Sequence, residues 1–194
     1  MVLIDGSSKI CYTQPKNIKD RLIGGKSPPA RINRVMRGQE NGFKRCNQSG
    51  CKLCPLVGEA TNNGLVKSVR VSNTGEDYQI RGKLTCSSSN LLYLLTCKKG
   101  DRMCPQKPQY GGETGQTACK RFTEHHGTVT QHCHLQTKTP VGQHFRLPGH
   151  SISDISFIPV EKILSKNVFV RKARERHLIN TLDLIDNGIN LRLG

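Results

Sequence analysis

The stretch between positions 91 and 125 constrains the fold of this chain most tightly. An apolar run from Leu91 to Leu95 is bounded by polar loops, and such a run predicts a β-strand that delivers Tyr93. A second strand or turn then delivers Tyr110, which is followed by Gly111-Gly112. Because glycine lacks a Cβ, this pair permits a tight turn and a close approach of the backbone to a ligand such as a phosphate.

A helical pattern follows from about Thr117. Arg121 and His125 are four residues apart, so they share one face of the predicted helix. The stretch therefore brings two tyrosines together with an arginine and a histidine. This combination suggests an anionic substrate.

In this order, Tyr93, Tyr110-Gly111-Gly112, Arg121 and His125 resemble the core of the GIY-YIG endonuclease family, with Leu91-Leu92-Tyr93 in place of the Gly-Ile-Tyr triplet. The resemblance is closer to the endonuclease domain of Penelope-like retroelements and extends roughly from Cys46 to Leu193. The segments of this chain similar to that group are Leu91 to Cys97, Gln109 to Gly115, and His144 to Ser151.

The resemblance implies a metal-dependent DNA endonuclease that leaves a nick with a 3′-hydroxyl, as used to prime reverse transcription. Glu175 would hold Mg²⁺ or Mn²⁺, Arg121 would clamp the phosphate, and Gly112 would let the backbone approach it. Either Tyr93 or Tyr110 would take a proton from water with help from His125, and Asn190 would support the site. Since the ordinary tyrosine pKa is near ~10, Arg121 and the metal would have to lower it.

DNA is the partner that the resemblance implies, together with element RNA and a reverse transcriptase domain outside this chain, in a nuclear location. Two alternatives stay open. One is a non-catalytic zinc-binding nucleic-acid module in which the tyrosines are core residues. The other is a nuclease for structure-specific DNA repair.

The charge of the chain agrees with a polyanionic partner. Thirty Lys and Arg residues against fourteen Asp and Glu give a net charge of +16, spread along the sequence. Nucleic acid is the leading candidate because neutralised phosphates release counterions. A ribosome-associated or merely soluble basic protein would show the same excess.

Nine cysteines in a chain of only 35% hydrophobic content point to stabilisation beyond an apolar core. The N-terminal sequence has no secretory apolar region, and no apolar stretch approaches the ~18 residues of a membrane helix. A reducing compartment favours metal ligation over disulfides. We therefore expect one or two structural Zn²⁺ ions.

The first cysteine set has the spacing of a metal knuckle, Cys46-x4-Cys51-x2-Cys54. Cys86 is the best candidate for the fourth ligand, because a hairpin formed by residues 65 to 85 around Asn73-Thr74-Gly75 would bring it back. Unrelated free thiols are the alternative.

The second set lies between the key tyrosines. Cys97 and Cys104, with His144 and His150 downstream, would make a tetrahedral Cys2His2 site, and the resemblance implies the same pairing. The alternative is a structural cysteine pair with two surface histidines. His132 and His134 are interpreted as loop residues, and Cys119 as a small buried residue near Phe122. Zinc sites built from these histidines with Cys119 or Cys133 are not favoured.

Further along, residues 152 to 164 predict a third strand, with Pro159 at a sheet edge or bulge. Asn167 is predicted to cap a helix that contains Glu175, although a glutamate among basic residues is usually a solvated ion-pair partner. The apolar positions of this helix are Val170, Ala173, Leu178, Leu182 and Ile185.

These patterns predict an α/β (α+β) fold: a small three-stranded antiparallel sheet flanked by helices, with a zinc-stabilised N-terminal appendage. Residues 1–45 are basic and rich in Gly, Pro and Asn, which predicts a flexible linker. Residues 46–89 would form the cysteine knuckle with its hairpin. Residues 90–194 would form the GIY-YIG endonuclease domain.

Overall fold

Short strands precede long ones along this chain. The structure is a computed structural model that describes residues 40–57, 64–100, 104, 107–130 and 139–191. The strands are β1 (Gly42–Lys44), β2 (Leu65–Val66), β3 (Ser68–Arg70), β4 (Asp77–Gln79), β5 (Lys83–Thr85), β6 (Ser89–Cys97), β7 (Gln109–Thr117) and β8 (Ile155–Lys162). The α-helices are α1 (Ala118–Thr130), α2 (Pro140–His144) and α3 (Val168–Thr181), and 3₁₀ helices span Cys54–Leu56 and Ile152–Asp154.

The predicted linker covers residues 1–45. Its first 39 positions lie outside the described residues, as do His132, Cys133 and His134. Gly42–Lys44 nevertheless form β1, which pairs with both β2 and β5, and Phe43 is fully buried. An apolar side chain with strand partners on both sides belongs to the folded unit, which runs from Glu40 to Gly194.

The mixed α+β class is confirmed, but the described strands form several small sheets where one was predicted. One of them is a three-stranded antiparallel sheet in the order β7-β6-β8. Two more sheets, β2-β1-β5 and β3-β4, come from the cysteine-rich segment before it. That segment contributes buried valines and leucines to the same core, so it is more than a metal-held appendage.

β6 is the central strand of the largest sheet and contains the apolar run that predicted it. Leu91–Leu95 are all buried, because β6 is paired on both edges and covered on both faces. A strand in that position reads as a continuous apolar run instead of an alternating one. Tyr93 is thereby held at the centre of the fold.

The third strand is confirmed as β8, at the outer side of the sheet next to β6. Pro159 pairs with Tyr93, and the register shifts there because Leu92 pairs with Glu161. A bulge at an outer strand is where a residue without an N–H is tolerated. The prediction for Pro159 is therefore also confirmed.

The predicted hairpin is formed by β3 and β4, which pair Val69 with Tyr78. Its turn closes where Gly75, at φ +71°, donates from its N–H to the carbonyl of Val71 at 2.8 Å. β5 then runs parallel to β1, with Thr85 opposite Lys44. Cys86 and Cys46 follow these paired positions, which brings them to the same end of the small sheet.

Asn167 caps α3 as predicted, accepting from the Phe169 N–H at 2.9 Å. Leu178 and Leu182 are buried as predicted, whereas Val170 and Ala173 are exposed. The reason is that ionic pairs occupy the inner face of the first turns of α3. There Arg171 pairs with Glu113, and Arg174 pairs with Glu161. Ile185 lies beyond the end of the helix.

Within the described ranges, each helix falls short of the length and apolar content that a membrane crossing requires.

Candidate active site and metal-binding clusters

Tyr93 is the centre of a buried hydrogen-bond network. The Arg121 Nε donates to Tyr93 Oη at 3.0 Å, and Tyr93 Oη lies 2.8 Å from His125 Nε2. Because the guanidinium can only donate, the phenol accepts from Arg121. The tautomer of His125 sets the direction of the second hydrogen bond: with its proton on Nδ1, His125 accepts the Tyr93 O–H at Nε2. α1 presents Arg121 and His125 to the same oxygen because they are one helical turn apart.

Burial dominates the electrostatics of this network. The pKa of Tyr93 is raised well above its usual value by burial and then by neighbouring Tyr110, although the charge of Arg121 acts to lower it. The expectation of a lowered tyrosine pKa is not met. Burial, followed by the charge of Arg121, lowers the pKa of His125 to about 3. The network is therefore neutral at Tyr93 and His125, with its positive charge on Arg121.

Tyr110 lies beside Tyr93 and is the more accessible of the two phenols. The ring centroids are 6.3 Å apart, and Tyr110 is partly buried where Tyr93 is fully buried. Burial raises the pKa of Tyr110, the nearby charge of Glu175 raises it further, and the phenol interacts with that of Tyr93. Tyr110 thus links the buried network to Glu175.

Glu175 reaches the site from α3. Its Oε1 accepts from the Glu113 N–H at 3.0 Å. Burial and the neighbouring Glu113 carboxylate raise the pKa of Glu175, while Arg121 and Lys172 act to lower it. Glu175 also lines an open cavity of about 810 Å³ together with Lys172 and Arg176. A half-buried carboxylate beside a second carboxylate is a candidate ligand for a cation.

Sequence reasoning missed the pair formed by Glu113 and Arg171. The two side chains are only 16% and 11% exposed, and Arg171 Nε donates to a carboxylate oxygen of Glu113. Arg171 NH1 also donates to Asn90 Oδ1 at 2.7 Å. The pair fixes α3 against β7 near Glu175. Glu113 immediately follows the two glycines in the sequence, which is the one signal that could have drawn attention to it.

Asn190 is hydrogen-bonded to the backbone of β7. Its Oδ1 accepts from the Gly111 N–H and its Nδ2 donates to the Gly111 carbonyl, both at 2.8 Å. This double hydrogen bond satisfies both backbone groups of a buried residue in β7. It ties the C-terminal segment to the strand that carries Tyr110.

Gly111 and Gly112 lie within β7 and form no turn. Gly112 pairs with Tyr93 across the sheet, and a Cβ on it would lie 2.5 Å from Tyr93 Cζ and 2.9 Å from Tyr110 Cε1. The glycine is therefore needed to make room for the two tyrosine rings, a requirement that the sequence pattern did not indicate.

The first cysteine set is assembled as expected. The Sγ atoms of Cys46, Cys51, Cys54 and Cys86 all lie within 4.8 Å of one another, with Cys46–Cys54 at 3.5 Å and Cys54–Cys86 at 3.6 Å. Four sulfurs on a tetrahedral ion at ~2.3 Å would be about 3.8 Å apart. These four residues could therefore hold a metal ion.

A fifth thiol lies next to this set. Cys119 Sγ is 3.8 Å from Cys51 Sγ, but Cys119 is not one of the four mutually close ligands. Its N–H donates to the Cys86 carbonyl at 2.9 Å, so the start of α1 is attached to the first cysteine set. Cys119 packs against the core but is half-buried, whereas a buried residue was predicted.

The second set, Cys97, Cys104, His144 and His150, is also assembled, with ligand atoms within 4.8 Å of one another. Both histidine Nε2 atoms lie 3.4 Å from Cys104 Sγ. Burial raises the pKa of Cys97 to about 11, and burial with the neighbouring His150 lowers the pKa of His144. A neutral imidazole is the form that ligates a metal, and a bound cation would compensate for the buried thiolates. No disulfide is present among the described cysteines.

We compared the chain with family models, with curated proteins and with solved structures, and found no significant match in any of the three.

Proposed function

We propose that this chain is a metal-dependent DNA endonuclease of the GIY-YIG type, which hydrolyses a phosphodiester and leaves a nick with a 3′-hydroxyl. The observation that carries the proposal is the convergence of Arg121 and His125 on Tyr93 Oη, with Tyr110 and Glu175 adjacent. These residues come from two strands and two helices, and they match in order those that the family resemblance singled out.

Arg121 supplies the charge that holds the scissile phosphate. Its Nε is engaged by Tyr93 and its NH1 by Glu124 at 2.8 Å, so the guanidinium is fixed in direction. A planar fork with a permanent charge suits two phosphate oxygens. Pre-orientation of this kind is a principal source of stabilisation for developing charge.

The two tyrosines pass a proton inward from the attacking water. Tyr110 takes the proton, hands its own to Tyr93, and Tyr93 hands its own to His125 Nε2. Each phenol accepts one proton as it releases another, so neither forms the phenolate that burial disfavours. Phosphate binding at Arg121 offsets the charge that depresses the pKa of His125. His125 thereby becomes a better proton acceptor when substrate is bound.

Glu175 would hold a Mg²⁺ or Mn²⁺ ion, which supplies charge neutralisation at the phosphate and at the leaving 3′-oxygen. The Glu113 N–H and the Glu113–Arg171 pair orient the Glu175 carboxylate for this role. Zn²⁺ is the metal proposed for the two cysteine-rich clusters, because thiolate and imidazole ligands in tetrahedral number favour it. Their role is structural.

DNA is the proposed partner, and the net charge of +16 supports it. The resemblance to Penelope-like elements supports target-primed retrotransposition in the nucleus, with element RNA and a reverse transcriptase domain as further partners. A nuclease for structure-specific DNA repair would act on a different substrate. Comparing the nicking of plain duplex DNA with that of branched or bubbled DNA therefore distinguishes repair from retrotransposition.

A non-catalytic zinc-binding nucleic-acid module is the second candidate. The complete burial of Tyr93 favours it, because a buried aromatic residue can serve packing alone.

A plasmid assay decides between these candidates. We expect the purified chain to nick supercoiled plasmid only with added Mg²⁺ or Mn²⁺. Glu175→Ala should lower the rate by at least ~10²-fold while retaining DNA binding, and the exposed-residue control Glu76→Ala should cut normally. Identical plasmid products from the wild type and Glu175→Ala would refute the endonuclease proposal.

A further inference from the structure

An exposed apolar patch lies where the chain enters α3. It consists of Leu164 (75% exposed), Val168 (40%), Phe169 (77%) and Val170 (42%). In the described part of the chain these are four of the six large hydrophobic side chains that are exposed. Single exposed apolar residues are ordinary, but a cluster marks an interaction surface.

The patch is held rigidly. Asn90 Nδ2 donates to the carbonyls of Ile163 at 2.7 Å and Ser165 at 2.6 Å, on either side of Leu164. Asn167 then caps the helix by accepting from the Phe169 N–H. Phe169 therefore projects from a fixed first turn, and little conformational entropy is lost when it meets a partner.

The charge around the patch identifies the kind of partner. Lys162, Lys166, Lys172 and Arg176 are exposed on the same segment of the chain, residues 162–176. Phe169, Lys172 and Arg176 recur at helical spacing along the outer face of α3, opposite the buried Leu178. An aromatic ring in a row of cations complements a nucleic acid, which offers bases to stack on and phosphates to pair with.

The patch is also aligned with the proposed active site. Lys172 and Arg176 line the same cavity as Glu175. Phe169 precedes Glu175 by six residues in α3, which is about 9 Å along the helix axis at ~1.5 Å per residue. Base steps in a duplex are ~3.4 Å apart, so this offset corresponds to roughly two to three steps.

We propose that Phe169 stacks on, or wedges between, DNA bases two to three steps from the cleaved phosphodiester, while Lys172 and Arg176 hold the intervening backbone. This inference rests on the proposed endonuclease function for the position of the cut, but the stacking itself can be measured without cleavage. Phe169 would bind the substrate and locally unstack its bases beside the scissile bond.

The test uses the 194-residue chain with Glu175→Ala, which leaves the DNA uncut, and duplexes with 2-aminopurine at successive positions. We expect enhanced fluorescence at one or two adjacent positions. Adding Phe169→Ala should abolish the enhancement and weaken binding at least ~5-fold with an unchanged salt dependence, since one stacked base contributes ~1–3 kcal/mol. Phe169→Trp should preserve both signals.

Two control variants separate stacking from charge and from general surface effects. Val170→Ala removes an exposed apolar side chain of the same patch that points about 100° around the helix from Phe169, and it should change nothing. Lys172→Ala should reduce the slope of log affinity against log salt by about 1.

Some outcomes overturn the inference. If Phe169→Ala binds as tightly as its parent, or if its only effect is to dissociate a dimer, the patch does not stack on DNA. A chain that shows Phe169-dependent fluorescence but never nicks plasmid would support stacking and refute the endonuclease proposal, so the two failures are distinguishable.

Discussion

At the scale of single residues, the decisive one is Tyr93, whose phenol is fully buried and yet fully hydrogen-bonded. A buried polar group is tolerated only with partners, and here both partners come from α1. Removing Arg121 or His125 would leave the phenol with one partner fewer, so these residues matter for stability as well as for the proposed chemistry.

His125 should make stability depend on pH. Its pKa is about 3 in the folded chain against about 6.5 when unfolded. Between these values the unfolded chain binds more protons, so the folded state loses stability as pH falls. This single group should cost about 1.4 kcal/mol between pH 7.5 and 5.5. Urea unfolding of wild type and His125→Gln at both pH values measures the difference.

The variant removes the titrating group but keeps a hydrogen-bonding side chain. We expect the wild-type free energy of unfolding to fall more steeply with acidification than that of His125→Gln. Parallel pH profiles for the two proteins would mean that His125 titrates normally in the folded state and that the Tyr93 network differs from the one described.

At the scale of elements, β7 carries the closest packing in the site. A Cβ on Gly112 would lie 2.5 Å from Tyr93 Cζ, while a Cβ on Gly115 in the same strand would lie 3.3 Å from the nearest atom of Arg171. Gly112→Ala should therefore destabilise by about 1–3 kcal/mol, as overpacking does, and displace the tyrosines. Gly115→Ala is the matched control, because the added methyl there requires only a small shift of its neighbour. Thermal unfolding and plasmid nicking check both variants.

Gly115→Ala should remain close to wild type in both thermal stability and nicking, and Gly112→Ala should be impaired in both. Equal effects of the two substitutions would show that β7 tolerates alanine poorly everywhere, and that the space beside Tyr93 has no special role.

α3 shows why a helical apolar pattern can mislead at this scale. The apolar pattern includes Val170 and Ala173, but Arg171 and Arg174 face the sheet and pair with Glu113 and Glu161. Periodicity detects apolar stripes and has no means of recognising a stripe of paired charges. The partners are distant in sequence, on β7 and β8.

At the scale of the whole molecule, the two candidate metal clusters bring together ligands that are distant in sequence, and their cysteines lie in or against the apolar core. Cys46, Cys51 and Cys54 are joined to Cys86 by the first, and the β6–β7 connection is joined to His144 and His150 by the second. Closing long loops in this way stabilises mainly by restricting the unfolded chain.

Elemental analysis should find two Zn²⁺ per chain, one for each cluster. Cys86→Ser should lose one of them and lower the melting temperature. Cys119→Ser is the matched control, because its sulfur lies 3.8 Å from Cys51 Sγ but outside the four-ligand set. It should retain both ions. Loss of zinc in Cys119→Ser with retention in Cys86→Ser would reverse the ligand assignment.

By itself, the sequence determined the central strand, the hairpin, the cap of α3, the outer position of Pro159 and the order of the candidate site residues. Each of these depends on local signals such as apolar runs, turn glycines and capping side chains. It also suggested both metal-ligand sets, because cysteine and histidine spacing is a local signal as well.

Only the tertiary structure decided which groups meet: the hydrogen bonds of Arg121 and His125 to one phenol, the Glu113–Arg171 pair, the room at Gly112, and the exposure of Phe169. These depend on strand register and on helix rotation against the sheet. Register and rotation are set by the packing of residues far apart in the chain, which no local pattern encodes. The direction of the tyrosine pKa shift was missed for the same reason, because burial is a property of the assembled fold.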